Sequence, residues 1–579
     1  MKKNNTILFI AVLASMLGLS GCHFLDQNPD MRTAIDTKKK VQLLLVSAYT
    51  SANFGPICEF SSDQVVDNNA PDKTGHTMNA KPLDKMYDEI FAWEDVKSDG
   101  QQDSPKYIWD GCYSAIATCN HALKAIEELE KKGINMDAEK GEALISRAYH
   151  HFILVNVFCH AWKDETLSKN DLGITYMIEP ETTVAPHYER GTVYDTYKYI
   201  QQDIEAGLPL IDDSYYTVPR YHFNSKAAHA FAARFYLYTR QWDKVVKEAD
   251  YVLTTDDHAT LSLLYDSKTA YQMNDPWKEQ LHFIDPSAPY NLLINTTMST
   301  APYTLIPDYG RYDHNGVSAD FSTLGSGPCW KGQFPGWHHW LYDQTYGSFC
   351  AKFLWLFEYT DKVNGYGYVH EVTRAFTTNE TLLCRAEAKV FLNDFEGATN
   401  DFRLWCQGYN TGRMDTLADG NVDLTINKIQ TFYSPSANSQ YVPELHNADM
   451  SPEFVVSDAQ KPFIHCALHL RRIETLHDGL RWFDLKRYGI EITHQRGTEA
   501  LRKLVWNDDR RAIQLPVDVR IANMTPNPRE VRGDQVSPNS AVSVSESSTG
   551  EPQLGLPYIS TRQITSVPLN DEDENDDNN

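Results

Sequence analysis

The sequence predicts an all-α-dominated protein in which helical hairpins carry an irregular, loop-rich layer. Three observations lead there. Apolar residues recur at helical spacing in KKKVQLLLVSAYTSA, in YIWDGCYSAIATCNHALKAIEELEKKG and in EALISRAYHHFILVNVFCHAW. The segments AFAARFYLYTRQWDKVVKEAD (230–250) and LCRAEAKVFLNDFEGATNDF (383–402) align at an offset of 153, with Ala233 on Ala386, Trp242 on Phe395, Asp243 on Glu396 and Val245 on Ala398. Between them, over about 255–370, helical periodicity disappears and Pro, Gly, Ser and Asn alternate with Trp and Tyr.

In chain order, Lys2 and Lys3 precede the apolar run TILFIAVLASMLGL, which is short for a membrane span and reads as an export signal over residues 1–21. The run ends in LSGC, residues 19–22, which resembles a bacterial lipobox: cleavage would leave Cys22 first, and its thiolate would form the thioether to a lipid. A short polar tether, HFLDQNPD, leads into the first helix. The second helical segment ends at Gly133, and RAYHHFILVNVFCHAW reads as the first helix of a further hairpin. Small residues in one helix, a turn carrying an aromatic, and a second helix with small residues form the pattern of a tetratricopeptide-like hairpin, because small side chains let paired helices approach closely. The segments 407–460 and 525–568 are again loop-rich. Residues 22–568 are thus expected to form one domain with a loop-rich insertion at 255–370. The closing LNDEDENDDNN, 569–579, with six acids and no apolar residue after Leu569, is expected to be a solvated tail.

At 579 residues the chain can bury a large core, and 42 % hydrophobic with 23 % charged residues is a globular composition. A formal charge of −25, near −27 once Lys2 and Lys3 are removed, opposes nucleic-acid binding. Beyond the signal, no stretch holds the roughly 18 uninterrupted apolar residues of a membrane helix. Of ten cysteines, nine remain beside Cys22, an odd number without a CxxC pair, so buried free thiols are expected rather than a disulfide framework.

No specific catalytic constellation is present: no G-x-S-x-G, HExxH, phosphate-cradling Gly loop or EF-hand spacing. HHW (338–340) and YHH (149–151) have no ligand partner at metal spacing, and neither metal nor cofactor is expected. Sugars offer apolar C–H faces and rings of hydroxyls, so their sites combine aromatic platforms with amide, carboxylate and guanidinium side chains. Trp330, Trp337, Trp340, Tyr342 and Tyr346, beside Lys331, Gln333, His338 and Asp343, offer that combination. A second candidate is the early loop with Asp63, Asp67, Asn68 and Asn69, followed by Trp93. A Trp-rich loop also suits core packing or a partner contact. The rival enzymatic reading is a carboxylate-dependent glycoside hydrolase using a pair such as Asp308 and Asp313.

RRIETLHDGLRWFDLKRYG (471–489) is the densest charged stretch. On a single helix, Ile473, Leu476, Leu480 and Phe483 form an apolar stripe. Arg471–Glu474, Asp478–Arg481, Arg481–Asp484 and Asp484–Arg487 then stand three apart as helical neighbours. Exposed pairs of this kind contribute only about 0.3–0.5 kcal/mol each, so the ladder is expected to be partly buried as a structural brace. Gly479, costing roughly 1 kcal/mol inside a helix, is expected to admit another backbone.

Together these residues resemble the SusD/RagB type of outer-membrane lipoprotein from Bacteroidetes. The resemblance covers nearly the whole chain: Cys22 followed by FLDQNP, RAYHHFILVNVF, TLLCRAEAKVFLNDFEGATNDFRLW, and RRIETLHDGLRWFDLKRYG followed by AIQLPVDVRIANMTPNP. The family pattern of Arg, Glu, acid-Gly-x-Arg and Asp-Leu-x-Arg is met by Arg471, Glu474, Asp478, Gly479, Arg481, Asp484, Leu485 and Arg487. The acid before glycine is usually glutamate and is Asp478 here, and LPVDVRIANMTPNP is a loose version of the closing motif. The resemblance implies a SusD-like fold of four tetratricopeptide-like hairpins under a ligand-binding layer. It implies a non-catalytic role: capture of an oligosaccharide, or in some members a peptide, for a SusC-like TonB-dependent transporter on which the protein sits as a hinged lid. It also implies that the early loop and the mid-chain insertion meet over the binding face.

Overall fold

The structure, a computed structural model, describes residues 35–536 except 72–83, 98, 183–186, 306–310, 315–322, 338–339, 344–346, 350–351, 353–355 and 534. The expected signal, Cys22, Asp308, His338, Tyr346 and the acidic tail lie outside the described residues.

Helices dominate, as expected. They include α1 (Lys38–Leu45), α2 (Gly55–Ser61), α3 (Lys85–Phe91), α4 (Pro105–Glu130), α5 (Asp137–Phe158), α6 (Val193–Gly207), α7 (Ser225–Tyr238), α8 (Trp242–Leu253), α9 (Thr378–Phe391), α10 (Phe395–Gly408), α11 (Lys461–Glu474) and α12 (Leu480–Tyr488). Local chemistry sets their starts. Ser104 accepts from the Tyr107 N–H with proline at the first turn of α4, and Thr192 with Asp195 forms a capping box on α6. No helix among the described residues is long and apolar enough to cross a membrane. The eight described cysteines are free and buried.

The internal repeat is visible in the backbone. Hairpins α7–α8 and α9–α10 start at Ser225 and Thr378, and their second helices at Trp242 and Phe395, each 153 residues apart. Even the turns agree: Arg240 and Asn393, at matching positions, both take a φ of 62°. The aromatic that opens each second helix packs on the next element along. Trp242 stacks on Phe391 at 4.1 Å with planes 6° apart, and Phe395 on Phe463 at 4.8 Å and 29°. Ala232, Ala233, Ala386 and Ala388 are fully buried where the helices meet.

The mid-chain insertion is more regular than the sequence suggested. It contains short helices at Asp257–Ser262, Ser267–Met273 and Pro276–Phe283. Each is capped by an aspartate, Asp256, Asp266 or Asp275, and each is too short to show a 3.6-residue period. It also supplies most of an antiparallel sheet in the order β2 (Asn291–Thr297), β7 (Tyr366–Thr377), β6 (Leu356–Asp361). Smaller ladders join β1 (Val66–Asp67) to β3 (Tyr312–Asp313), β4 (Trp340–Asp343) to β5 (Gly347–Phe349), and β8 (Ile492–His494) to β9 (Leu501–Leu504) and β10 (Gln535–Val536).

The stretch 471–489 is two helices rather than one. The chain leaves α11 at Thr475 and enters α12 at Gly479, with His477 and Gly479 at φ 73° and 77°. The apolar set Ile473, Leu476, Leu480 and Phe483 is buried as expected. Of the four expected neighbour pairs only Asp484–Arg487 forms, at 2.7 Å. The others are replaced by distant partners, because a guanidinium removed from water needs more acceptors than one neighbour three residues away can give. Arg471 donates to Asp484 at 3.0 Å and Glu380 at 3.2 Å; Arg487 grips Glu387 at 2.9 and 3.2 Å; Arg234 reaches Glu380 at 3.2 and 3.3 Å. Three arginines and three acids from α7, α9, α11 and α12 thereby form a neutral, buried network. Gly479 does admit another backbone: a Cβ there would lie 2.7 Å from the Gly55 Cα.

Arg471→Ala is therefore expected to destabilise the fold by about 3–5 kcal/mol, since it leaves carboxylates buried without their cation. Gly479→Ala should also destabilise, by strain at positive φ and by collision with α2. Denaturant unfolding of both variants checks this; a wild-type midpoint for Arg471→Ala would refute the brace.

Candidate ligand-binding face

The brace reaches the early loop through α11 and α12. Arg481 holds the Asp63 carboxylate at 2.9 and 2.8 Å, and Arg472 donates to the Asp63 carbonyl at 2.8 Å. Burial alone would raise the Asp63 carboxyl, but the two guanidiniums hold it well below the usual carboxylate range. Three residues further on, β1 pairs antiparallel with β3, placing Val66 opposite Asp313 and Asp67 opposite Tyr312. The early loop and the mid-chain insertion therefore do meet.

Asp67 and Asn68 organise that junction from inside it. Asp67 is buried and accepts from Arg311 at 2.8–3.0 Å and from the Gly497 and Asn69 N–H groups at 2.7 and 2.9 Å. Arg311 also reaches Asp88 at 3.2 Å, and the Tyr312 hydroxyl donates to the same carboxylate at 2.5 Å. The Asn68 amide donates to Asp313 at 2.8 Å, and burial pushes the Asp313 carboxyl well above its ordinary value. Asp313 is fully buried, which gives the hydrolase reading no accessible partner at this position.

The predicted tryptophans occupy a different place from the one expected. Trp330 and Trp337 are only 2 % and 5 % exposed. The Trp330 indole donates to the Gly325 carbonyl at 2.6 Å and meets Phe334 edge-on, while Trp337 packs among Tyr265, Phe283 and Tyr409. Trp93, also buried, stacks on His494 at 4.3 Å and donates to the Ser61 carbonyl. A sugar stacks on an open ring face, and these faces are covered by protein; the rings form the floor of the loop layer. Trp340 and Tyr342 lie on β4, with Trp340 opposite Phe349 on β5.

Open aromatic surface stands instead on the β6–β7 ribbon, which sequence reasoning treated as loop. Tyr366 is 70 % exposed, and Phe357, Tyr359 and Tyr368 are exposed beside it. Gly367 makes room for the Phe357 ring, which would lie 2.6 Å from a Cβ at that position. The signal was available: LFEYTDKVNGYGYVH alternates and carries Asn364-Gly365 at its turn. The Gln102 amide donates to the Val369 carbonyl at 3.1 Å and ties the ribbon to the helical body. A small cavity of about 60 Å³ between β2, β7 and the 475–480 turn has room for water and none for a sugar ring.

The arrangement can now be set beside known proteins. A family model described as "SusD-like_3: Starch-binding associating with outer membrane" matches residues 23–237. No curated protein matches the chain by sequence. A solved SusD superfamily protein from Bacteroides vulgatus is 18 % identical, with a TM-score of 0.54 over 85 % of this chain and 98 % of its own. A SusD-like carbohydrate binding protein from the same species is 15 % identical, with a TM-score of 0.55 over 84 % and 96 %. A SusD superfamily protein from Bacteroides thetaiotaomicron gives 17 % identity and 0.53 over 85 % and 100 %. The family model over residues 23–237 and the fold of these solved structures agree with the sequence motifs, and the chain has a SusD-like fold.

Beneath the ribbon, burial pushes two carboxyls upward, Asp103 to about 6 and Glu371 to about 8, the latter aided by repulsion from Asp103. An acid raised by folding supports the fold fully below its unfolded value, here 4.5 for Glu371, and loses that contribution as pH rises towards 8. Stability is thus expected to fall between about pH 4.5 and 8, by up to about 1.4 kcal/mol per pH unit from this group. Glu371→Gln keeps the acceptor for Asn53 and should flatten that slope in denaturant titrations at pH 5, 6.5 and 8; an unchanged slope rejects the assignment.

Proposed function

We propose that the protein is a surface lipoprotein that captures an oligosaccharide and delivers it to a SusC-like TonB-dependent outer-membrane transporter, acting as its lid. Residues 1–21 would be removed and Cys22 would carry the lipid. The SusD-like fold and the starch-binding description of the matched family support carbohydrate binding. The observation that carries the glycan reading furthest is the open aromatic rings on the β6–β7 ribbon, Tyr366 and Tyr368 on one face and Phe357 and Tyr359 on the other. Capture without chemistry fits the buried and hydrogen-bonded state of Asp313. A second reading, peptide capture, is favoured by one feature: β6 is an edge strand among the described residues, and an extended peptide could add to it.

Replacing Tyr366 and Tyr368 together by alanine should weaken binding of the recognised glycan about five- to 150-fold, at roughly 0.5–1.5 kcal/mol per ring, with unchanged thermal stability. Affinity electrophoresis over a polysaccharide panel followed by calorimetry reads this out, and unaltered affinity removes the ribbon from the site. Cys22→Ala should move the protein from the membrane fraction to the soluble fraction of its native host; retention in the membrane would exclude the proposed anchor.

A further inference from the structure

An open groove of about 810 Å³ lies away from the ribbon, among α6, the α7–α8 turn, the segment 162–165 after α5 and the segment 453–460 before α11. Its size falls in the range of clefts that hold small ligands. Its chemistry is mixed in a particular way. Two partly exposed tryptophans line it: Trp162, which rests on Tyr194 and Tyr197 at 6.2 and 5.3 Å, and Trp242, stacked on Phe391. Between them runs a chain of amides: Gln241 donates to Gln201 at 3.0 Å, Gln201 donates to Glu205 at 2.8 Å, and Gln202 stands alongside, exposed. Asp164, Glu165, Glu205 and Glu453 outnumber Lys198 and Arg240, and the Arg240 guanidinium is occupied by the Phe454 ring at 3.9 Å and the Trp162 carbonyl at 3.3 Å.

The internal repeat provides a control. In the second hairpin the residue before α10, Asp394, caps its helix by accepting from the Gly397 N–H. The matching residue before α8 is Gln241, which makes no side-chain cap and turns its amide to Gln201 and Thr239 in the groove. This hairpin forgoes a side-chain cap in favour of a polar group directed at the groove.

We propose that this groove is a second oligosaccharide-binding site, selective for neutral glycans. Indole faces suit the apolar side of a sugar ring, and side-chain amides both donate and accept, as vicinal hydroxyls require. The acidic surplus repels phosphorylated or uronic ligands. The inference rests on the glycan-capture reading for its ligand class and goes beyond it in placing a site on the hairpins.

Calorimetry with maltoheptaose, cellohexaose and xylohexaose on the wild-type protein, on Trp162→Ala, on Gln201→Ala/Gln202→Ala and on the ribbon variant Tyr366→Ala/Tyr368→Ala tests this. Gln201→Ala/Gln202→Ala leaves the aromatic packing intact should Trp162→Ala fold poorly. The expected result is two sites per chain for at least one glycan, with one weakened about tenfold or more in the groove variants and the other in the ribbon variant. Groove variants that keep wild-type stoichiometry and affinity overturn the second site alone. Loss of all binding in either variant set shows one composite site and also overturns it. If the wild-type protein binds none of the three, both the neutral-glycan groove and the glycan reading of the ribbon fall for these ligands.

Discussion

Six enclosed charges, Arg234, Arg471 and Arg487 against Glu380, Glu387 and Asp484, hold three consecutive helical units in one arrangement. Burying any one of them alone would cost several kcal/mol, and the network is tolerable only because each group is met by opposite charge in good geometry. That condition fixes relative positions. Glu380 must serve Arg234 on α7 and Arg471 on α11 at once, so the two hairpins and the C-terminal helix pair are held to one register. Apolar packing would accept several sliding arrangements of such helices; shared carboxylates do not.

The same helix pair carries this order outward to the loops. Arg481 and Arg472 hold Asp63; Glu59 accepts the Gly479 N–H at 2.8 Å and meets His314 at 3.0 Å; Lys352 donates to the Glu474 and Leu476 carbonyls at 2.6 and 2.8 Å. Residues far apart in sequence, near 60, 314, 352 and 480, are thus tied to one turn between two helices. Gly479 suits that position because it supplies both the left-handed backbone and the space for Gly55.

The hairpins were legible in the sequence because their information is local and repeated: an offset of 153 predicts helix starts, turn geometry and the aromatic at each second helix. The role of 471–489 was legible as a buried brace, but its partners were not. Spacing of three suggested a ladder within one helix, while the acceptors for Arg471 and Arg487 lie near 380 and 387, and nothing in a single sequence couples those positions. The tryptophans misled for a related reason. Composition shows that a loop is aromatic without showing which way the rings turn, and Trp330, Trp337 and Trp93 turn inward, where two of the indole N–H groups find backbone carbonyls. The ribbon rings were missed although their period of two was present, because the surrounding Gly and Asn content was read as loop.

The contrast between inward tryptophans and outward tyrosines bears on what the protein does. A two-stranded ribbon is marginal in water by itself, and the distal part of β6–β7 is largely solvent-exposed while its base is stitched to β2 and to Gln102. Its stability must come from its turn, where Asp361 accepts from the Val363 and Asn364 N–H groups, and from that base. Covering it with Thr, Lys and Glu would be the neutral choice for an edge strand. Placing Phe357, Tyr359, Tyr366 and Tyr368 there instead raises the risk of unwanted strand pairing without contributing to the core. Exposed rings that neither pack in the core nor protect the edge are the feature on which the proposed glycan capture rests, and their open surface, rather than the aromatic content of a loop, is what singles them out.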